Sequence, residues 1–415
     1  MQLTSTTSEL AFVSEDLKNA AATAFTALWN RSDVGFTRLP DDDKPWVQSK
    51  KMAEKFKKYK NLGVIGIGGS SVGTEAVIKT LNSFEDRVLI FDTPNASDVK
   101  RKLNNILLEE TAWYIVSKSG NSLETLFCTD YVADQYEKAG INFTERCVVC
   151  TELNPSPLYD WAVENKIEIL ELPKNVGGRF SVLTPVGLFP FAFCGIDLEA
   201  VRQGAQLANK NHEFISQTAA QILSTWQNSC LITYFWFYSS ECYHLRPWIH
   251  QLWAESLGKS KSRKGHDVFA SVPFVAIGPQ DQHSIQQQVL DGRFKKACVF
   301  FSIDGVDHSV KTARSRFENS YWENQSSLSI IRKQAKSTYL ACEEKKIPSL
   351  FFEFPEMNAY QLGFLLQWFQ LLVGTLGEAL DINAFDQPAV EIGKKLTKEA
   401  LKQAPKLVAQ FDDEN

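Results

Sequence analysis

Several features that would assign the chain to other classes of protein are missing from its sequence. It has no long basic run, and its formal net charge is −5. Nucleic acids and anionic membranes are bound through positive surfaces, so we expect neither partner. Residues 1–10 lack the basic start and apolar core of a signal peptide. The most apolar stretch, 362–380, contains Gln367, Gln370 and Glu378, which favours a buried helix over a membrane span.

Disulfide and metal-binding patterns are also missing. The eight cysteines follow no framework spacing, and no metal-ligand motif occurs among the six histidines. Cys147 and Cys150 form a C-x-x-C, but the stretch around them is β-branched and predicts a strand. Side chains three positions apart on a strand point to opposite faces, so this pair cannot share a metal ion. We expect reduced cysteines, a cytoplasmic location, and neither metal nor cofactor.

The 415 residues exceed one ordinary core and predict two domains. Short apolar runs alternate with helical patterns, which predicts mainly parallel sheets covered by helices on both faces. The fold class is therefore α/β, with two α/β/α sandwiches and helical N- and C-terminal segments. The predicted units are an N-terminal helical segment (1–45), a first sandwich (46–185), a second sandwich (186–383) and a C-terminal helix (384–415).

A glycine-rich turn, residues 66–73, joins the first predicted strand to a helix. Glycines let the backbone approach an anion, and the N-terminus of the following helix directs free N–H groups at it. A dinucleotide-binding motif would need glycine where Ser71 stands, and a P-loop would need lysine where Thr74 stands. Neither NAD nor a nucleoside triphosphate is indicated. On its own, the turn could equally be a tight connection between strand and helix.

A second polar loop, Ser117-Lys-Ser-Gly-Asn-Ser-Leu-Glu-Thr125, follows the third predicted strand. In a parallel sheet both loops lie at the carboxyl edge, where ligands bind at a switch point. Two hydroxyl-rich helix N-termini suit a phosphate monoester. N-capping by Ser122 would explain only one of these polar side chains. The pair of loops resembles the phosphosugar-binding SIS domain.

Two further stretches offer groups for catalysis. Two glycines precede Arg179, and an arginine fixed in such a loop can stabilise an oxyanion, although a structural ion pair would also account for it. Glu255 shares one stripe of a predicted helix with Trp248 and Gln251. A carboxylate on this partly apolar stripe can serve as a base, although most such carboxylates lie at the edge of a core.

Two polar residues near helix starts complete the set of candidates. His283 follows an apolar run at the start of a helix, where a lone histidine is usually a cap or a surface residue. Lys394 lies in the last predicted helix. Its neighbour Lys395 can pair with Glu391 four positions earlier, whereas Lys394 lies about 100° around the helix.

Taken together and in this order, these stretches resemble the glucose-6-phosphate isomerase family. The matching motifs are I-G-I-G-G-S, S-K-S-x-x-S-x-E-T, G-G-R-[FY]-S, E-S-x-G-K, Q-H-S and D-Q-x-x-V-E-x-x-K, which run from about residue 62 to 395. The chain departs from the family in carrying Ala389 where glycine is usual, and in being shorter than the long forms. The resemblance implies two SIS-type sandwiches and reversible isomerisation of glucose 6-phosphate and fructose 6-phosphate through a cis-enediolate, without a metal ion.

The resemblance also implies a role for each matching residue. Glu255 would carry the proton between C1 and C2, and Arg179 would lie beside the enediolate. His283 and Lys394 would open the sugar ring, with Glu124 as the carboxylate partner of His283. The substrate-binding positions would be Gly69, Ser70, Ser117, Lys118, Ser119, Ser122, Gln251 and Gln387.

The family is further associated with a homodimer in which each subunit contributes its histidine, here His283, to the partner's active site. Two alternatives stay open at this stage. One is an isomerase that acts on mannose 6-phosphate as well as glucose 6-phosphate. The other is a non-catalytic phosphosugar sensor built on SIS domains, which would need the phosphate loops but not the four catalytic groups together.

Overall fold

The computed structural model describes residues 4–7, 13–81, 87–303, 314–318 and 320–403. The strands in these ranges are β1 (Thr4–Thr7), β2 (Asn61–Ile65), β3 (Val88–Phe91), β4 (Thr111–Val116), β5 (Cys147–Thr151), β6 (Glu168–Glu171), β7 (Ile232–Tyr238), β8 (Val272–Ile277), β9 (Ala297–Ile303) and β10 (Ser349–Phe354).

The helices in the same ranges alternate with the strands over most of the chain. They are α1 (Glu15–Trp29), α2 (Asp43–Phe56), α3 (Val72–Thr80), α4 (Ala96–Leu103), α5 (Leu123–Lys138), α6 (Pro157–Glu164), α7 (Pro185–Phe193), α8 (Leu198–Lys210), α9 (His212–Gln227), α10 (Leu245–Leu257), α11 (Gln286–Asp291), α12 (Ser327–Glu344), α13 (Ala359–Ala379) and α14 (Val390–Gln403).

The first sheet has the order β3-β2-β4-β5-β6, and all its strands are parallel. The chain runs from β2 outward to β3 and then returns to the other side of β2 as β4. Ile65, the last residue of β2, lies opposite both Phe91 and Ile115. The loops that follow β2 and β4 therefore leave the sheet side by side at a switch point, as the sequence predicts.

The second sheet has the order β1-β10-β9-β7-β8. Four of its strands are parallel, and β1 pairs antiparallel with β10, with Thr4 opposite Glu353. The expectation of a wholly helical N-terminal segment is therefore wrong for these four residues. Threonine favours strands, and the edge of β10 offers backbone groups that β1 satisfies.

Three apolar clusters cover both faces of both sheets. The largest joins one face of each sheet to α7, α10, α13 and neighbouring helices. The second lies on the other face of the first sheet, under α4, α5 and α6. The third lies on the other face of the second sheet, under α11 and α12. The expected α/β class, with mainly parallel sheets covered on both sides, is confirmed.

The C-x-x-C segment lies where the sequence predicts. Cys147 belongs to the cluster under α5, and Cys150 belongs to the central cluster, so the two thiols point to opposite faces of β5. All eight cysteines are free and buried. Burial raises the pKa of the Cys150 thiol to about 12 and also raises that of Cys147, which keeps both protonated.

The apolar stretch at 362–380 is a core helix. It forms most of α13, where the amide of Gln367 donates to Oδ1 of Asn209 at 2.8 Å. In the described ranges no helix is both long and apolar enough to cross a membrane. The proposed domain boundaries at residues 45, 185 and 383 remain proposals, with the first sheet inside 61–171 and β7–β10 inside 232–354.

Candidate active site

The glycine-rich turn after β2 packs against the loop that carries Arg179. A Cβ atom at Gly69 would lie 2.2 Å from the carbonyl carbon of Gly178 and 2.6 Å from the backbone nitrogen of Arg179. Gly68 has a φ of +59°, and a Cβ atom there would lie 2.9 Å from the amide nitrogen of Gln251. Since backbone atoms cannot give way to a side chain, glycine at position 69 is what lets the two loops meet.

The loop after β4 presents its hydroxyls at the start of α5. Oγ of Ser117 lies 3.0 Å from Oγ of Ser122. Gly120 has a φ of +65°, and a Cβ atom there would overlap the Ser156 hydroxyl at 2.0 Å. Ser122 occupies the N-cap position of α5 without a capping bond from its side chain. Capping by its side chain therefore does not explain Ser122, and its hydroxyl does not occupy the N–H groups at the start of α5.

Lys118 is the single cation within residues 66–73 and 117–125. Its ammonium group donates to the carbonyl oxygen of Lys174 at 3.0 Å and lies 3.5 Å from the Glu152 carboxylate. Both partners of Lys118 lie outside the loop 117–125, so its ammonium group is held by neighbouring segments of the chain. Ser119, which is exposed, accepts a bond from the backbone N–H of Asn121 at 3.3 Å.

Arg179 lies at the base of the site, with 4% of its surface exposed. A guanidinium has five N–H donors, and all five are used. Their acceptors are Oγ of Ser256 (2.7 Å), Oε2 of Glu255 (3.2 Å), Oε1 of Gln387 (2.8 Å), and the carbonyl oxygens of Ala384 (2.6 Å) and Asp386 (3.0 Å). Burial lowers the pKa of Arg179 and the Glu255 carboxylate opposes that shift. The side chain stays charged at any working pH because arginine is so strongly basic.

Glu255 faces the same space from α10. One carboxylate oxygen contacts Arg179, and the other accepts a bond from Nε2 of Gln251 at 3.4 Å. The side chain of Glu255 is 33% exposed, whereas that of Arg179 is 2% exposed. The sequence-predicted stripe is confirmed, since Trp248 and Leu252 on α10 are buried behind these polar groups. Oε1 of Gln251 is buried without a hydrogen-bond partner in the described ranges.

The segment 384–387, which joins α13 to α14, closes one side of the site. Arg179 donates to two of its carbonyl oxygens and to the side chain of Gln387. The ammonium group of Lys259 donates to the carbonyl oxygen of Asp386 at 2.7 Å. The ring of Phe385 packs against that of Phe180 at 5.1 Å between centroids. Gln387 is thereby held beside Arg179, and its predicted contact with the substrate remains a prediction.

The structure brings together Gly69, Gln251, Glu255, Arg179 and Gln387. His283 and Lys394 lie apart from them in the single chain. His283 is exposed at the end of a 3₁₀ turn, Gln280–His283, that follows β8. Within the described residues of this chain, no hydrogen bond or ion pair joins His283 or Lys394 to Glu255, and none joins Glu124 to His283. Their implied roles remain predictions.

Lys394 lies on α14, whose side chains are exposed from Val390 to Lys402. Its ammonium group pairs with the Glu391 carboxylate at 2.7 Å, and Lys395 lies 3.9 Å from Glu399. The pairing that the sequence suggested for Lys395 and Glu391 is therefore made by Lys394, three positions along the helix. Both pairs are exposed and contribute little to stability.

Several groups in the site were given no role by the sequence. Ser256 is fully buried and orients Nε of Arg179, while Lys259 and the carbonyl oxygens of Ala384 and Asp386 hold the segment 384–387. The E-S-x-G-K stretch contains both Ser256 and Lys259, so their spacing after Glu255 was a usable signal. Backbone carbonyls give no sequence signal because every residue has one.

The arrangement suits proton transfer beside a fixed positive charge. A carboxylate that is partly exposed can take and return a proton, while a buried cation stabilises negative charge that develops near it. The two phosphate-type loops lie at the adjoining switch point. In the described ranges, no group of three or more His, Cys, Asp or Glu side chains is arranged to hold a metal ion.

Comparison with known proteins places this geometry in context. Residues 47–414 match the family model for phosphoglucose isomerase. A glucose-6-phosphate isomerase of Thermus thermophilus is 33% identical, with 89% of this chain and 90% of the relative covered. One from Methanocaldococcus jannaschii is 32% identical, with 92% and 94% covered.

Solved structures agree with the sequence relatives. The crystal structure of a hypothetical protein from Thermus thermophilus superposes with a TM-score of 0.87 at 29% identity, covering 96% of this chain and all of that one. A glucose-6-phosphate isomerase from Chlamydia trachomatis superposes with a TM-score of 0.76 at 22% identity, covering 92% and 78%. At that identity, the second likeness supports the fold alone.

Proposed function

The chain belongs to the phosphoglucose isomerase family, and from that premise we propose that it interconverts glucose 6-phosphate and fructose 6-phosphate. The observation that carries the proposal is the ion pair between Arg179 and Glu255, formed beside the switch point of the first sheet. A phosphosugar sensor would have no use for a partly exposed carboxylate held against a buried guanidinium. An aldose–ketose isomerase needs both.

Phosphate recognition is assigned to the two loops after β2 and β4. Their hydroxyls and the N-termini of α3 and α5 offer donors to the phosphate oxygens, with Lys118 as the only cation. The proposed binding set is Ser70, Ser117, Lys118, Ser119 and Ser122. Gly69 contributes by close backbone approach rather than by a side chain.

Proton transfer is assigned to Glu255. Starting from the open-chain aldose, the carboxylate of Glu255 removes the proton from C2. The electron pair of the broken C–H bond forms a cis-enediolate as the C1 carbonyl oxygen gains negative charge. The hydroxyl proton moves from O2 to O1, and the same carboxyl group returns its proton to C1 as the C2–O⁻ electron pair forms the carbonyl at C2, which gives the ketose. Gln251, whose acceptor oxygen is unpartnered in the described ranges, and Gln387 are proposed to contact the sugar hydroxyls.

Arg179 stabilises the enediolate through its fixed charge. Because its five N–H groups are already bonded, direct donation to the substrate requires exchange with a present acceptor. The 3.2 Å bond to Glu255 is the longest of the five and the easiest to exchange. When Glu255 swings towards the substrate, the guanidinium donor that it leaves becomes available to the developing oxyanion.

Ring opening is assigned to His283 and Lys394, which move protons at the ring and anomeric oxygens. We propose that the protein is a homodimer in which His283 enters the partner's site, next to the partner's copy of Glu124. Exposed apolar side chains in the segments before and after this loop support the proposal. They are Phe269 (67% exposed), Val272 (65%), Phe274 (39%) and Phe294 (71%), and β8 is an edge strand.

The dimer proposal has a direct test by complementation. His283→Ala and Glu255→Ala are each expected to be inactive, and mixing them with subunit exchange creates hybrids with one intact site. If half the dimers are hybrids, about a quarter of wild-type activity returns, as two-fold symmetry requires. No return of activity, or a fully active monomer in sedimentation, would contradict a shared site.

The reaction itself is tested with purified protein. Fructose 6-phosphate is supplied, and glucose 6-phosphate formation is followed through glucose-6-phosphate dehydrogenase. Turnover supports the isomerase, whereas binding without turnover would favour the phosphosugar sensor. Mannose 6-phosphate is tested in parallel, and comparable rates on both aldoses would establish the broader isomerase. The eight free, buried cysteines support a reducing, cytoplasmic setting as part of the proposal.

A further inference from the structure

Lys259 lies just beyond the C-terminus of α10 and contacts the segment 384–387, but none of the catalytic or binding roles proposed above includes it. Gly258 ends the helix, and its N–H donates to the carbonyl oxygen of Ala254 at 2.9 Å. The lysine side chain then folds back along α10, and its ammonium group donates to the carbonyl oxygen of Glu255 at 2.9 Å. Only 16% of the side chain is exposed, so the lysine packs as part of the structure.

The same ammonium group reaches across to the segment 384–387. It donates to the carbonyl oxygen of Asp386 at 2.7 Å and lies 3.4 Å from the carboxylate of that residue. Lys259 therefore joins the helix turn that carries Glu255 directly to the backbone next to Gln387. Among the described cations, only Arg179 also contacts both α10 and the segment 384–387, through Glu255 and the carbonyl oxygens of Ala384 and Asp386.

Arg179 and Lys259 share an acceptor. Nη2 of Arg179 donates to the carbonyl oxygen of Asp386 at 3.0 Å, so two cations converge on one backbone oxygen. Burial lowers the pKa of Lys259, with the charge of Arg179 as the next contribution, and Asp386 and Glu255 oppose the shift. The positive charges of Arg179 and Lys259 repel each other. The carboxylates of Asp386 and Glu255 lie close to both cations and offset this repulsion.

The part of the segment 384–387 that leads into α14 makes few other polar contacts in the described protein. Asp386 and Gln387 are exposed, and so are the side chains of α14 from Val390 to Lys402. Apart from a local bond from Asn383, the polar contacts that tie Asp386 and Gln387 to the body of the described protein are made by Arg179 and Lys259. Loss of Lys259 would leave Arg179 as the remaining polar link from the body of the described protein to Asp386 and Gln387, beside the packing of Phe385 against Phe180.

We infer that Lys259 is a positioning residue that fixes the distance between Glu255 and Gln387 and anchors the base of α14. It acts through the carbonyl oxygens of Glu255 and Asp386 and does not touch the substrate. The inference rests on the proposed function for its catalytic consequence, whereas its mechanical consequence is independent of the reaction.

The experiment compares four forms of the full-length protein: wild type, Lys259→Met, Lys259→Arg and Lys261→Met. Methionine keeps the length of the side chain without its donors, and arginine restores a cation that can reach both carbonyls. Lys261 provides the matched control, since it is exposed, lies two positions away and pairs with Asp267. The measurements are kcat and KM for fructose 6-phosphate, and amide hydrogen exchange over residues 384–403.

For Lys259→Met we expect kcat to fall about 10- to 100-fold with KM changed less than about threefold, because small displacements of catalytic groups cost rate rather than binding. Exchange over 384–403 should rise about tenfold, as expected for a segment that opens more often. Lys259→Arg should recover most of the rate, and Lys261→Met should match the wild type in both readouts.

Two results would overturn the inference. One is a kcat for Lys259→Met within about twofold of the wild type, which would show that Arg179 alone positions the segment. The other is a large fall in kcat with unchanged exchange, which would mean that Lys259 acts on the substrate directly. If Lys259→Met does not fold, Lys259→Gln, which keeps an uncharged N–H donor group, is judged by the same criteria. Altered exchange in a protein that never isomerises sugar phosphates would instead contradict the proposed function and leave the anchoring role standing.

Discussion

Arg179 and Glu255 form an ion pair in which the guanidinium is buried and the carboxylate is not. Nη1 of Arg179 lies 3.2 Å from Oε2 of Glu255, and the two side chains are 2% and 33% exposed. A buried cation with five bonds is fixed, whereas a partly exposed carboxylate with two longer contacts has room to move. The pair therefore combines a stationary charge with a carboxylate that has room to move, an arrangement that suits the proton transfer we propose for Glu255.

Replacing the Glu255 carboxylate tests the proposed roles of the two partners. Glu255→Gln keeps the shape of the side chain but removes its basicity, so kcat should fall by about 10²- to 10⁴-fold while hexose phosphate binding stays nearly intact. Steady-state kinetics and calorimetric titration measure the two quantities. Glu213→Gln, on the exposed side of α9, is the control. More than about a tenth of the activity in Glu255→Gln would refute its role as the base.

Arg179→Lys separates charge from geometry. Lysine keeps the charge but loses the planar fork, and we expect a loss of about 2–4 kcal/mol in transition-state stabilisation, measured as kcat/KM. Lysine also leaves buried acceptors unpaired, so the free energy of unfolding should drop by about 1–3 kcal/mol. An unchanged kcat/KM with lowered stability would make Arg179 a purely structural partner.

Gly69 and Gly178 form a matched pair for testing the close approach of the two loops. A Cβ atom at Gly69 would meet backbone atoms at 2.2 Å, whereas a Cβ atom at Gly178 meets nothing within 4 Å. Gly69→Ala should therefore lower the free energy of unfolding by about 1–3 kcal/mol and displace Arg179. Gly178→Ala should stay within about 0.5 kcal/mol of the wild type in thermal or denaturant unfolding. Equal effects of the two changes would show that the loops do not pack in this way.

The serine loop should matter for the phosphate and not for the sugar. Ser119→Ala and Ser122→Ala remove hydroxyls at the carboxyl edge of the first sheet, so they should weaken the binding of fructose 6-phosphate far more than that of fructose. Thr144→Ala provides the control, since Thr144 lies before β5 at the opposite edge. Equal weakening for both ligands would argue against a phosphate site in this loop.

His250 makes stability depend on pH. Its Nε2 accepts the backbone N–H of Val275 at 3.2 Å, and burial, followed by the charge of Arg246, lowers its pKa from the ordinary 6.5. At pH values below 6.5 the histidine binds a proton more readily in the unfolded state than in the folded state. The contribution of neutral His250 to the free energy of unfolding is therefore fully present above pH 6.5 and is lost as the pH falls through the lowered pKa.

The measurement is Tm between pH 7.5 and pH 5, which spans about the ordinary histidine range. Tm should fall more steeply for the wild type than for His250→Gln, whose amide oxygen can accept the same bond without titrating. His266→Gln, at an exposed position, should follow the wild type. Identical slopes for wild type and His250→Gln would show that His250 carries no part of the pH dependence.

The fold was predictable where a local pattern determines it. The apolar runs at 297–303 and 349–354 coincide with β9 and β10, and Thr184 caps α7 with Pro185 as its first residue. β1 was not predicted, because four residues are too few to show an alternating strand pattern and a helical pattern follows them. Its structure comes from pairing with β10, which lies far along the chain.

The site was predictable as a set of residues but not as a set of contacts. Arg179 was identified from its glycines, yet its partners lie between 76 and 208 positions away, and no local signal encodes them. Two of them are backbone carbonyls, which any residue provides. The sequence also carries no local signal for where His283 and Lys394 lie relative to Glu255, because that placement depends on elements far apart along the chain and, in the proposed dimer, on a second subunit.

The separation between Arg179 and its acceptors also bears on how the protein is made. The first sheet, with the loops after β2 and β4, leaves the ribosome before β7–β10 are synthesised, and domains generally fold in that order. Arg179 gains two of its five acceptors, Glu255 and Ser256, with α10, and the other three only when residues 384–387 emerge. In a nascent chain stalled after β10, Arg179 would therefore lack three of its five acceptors, so the proposed active site is completed only when residues 384–387 have been synthesised.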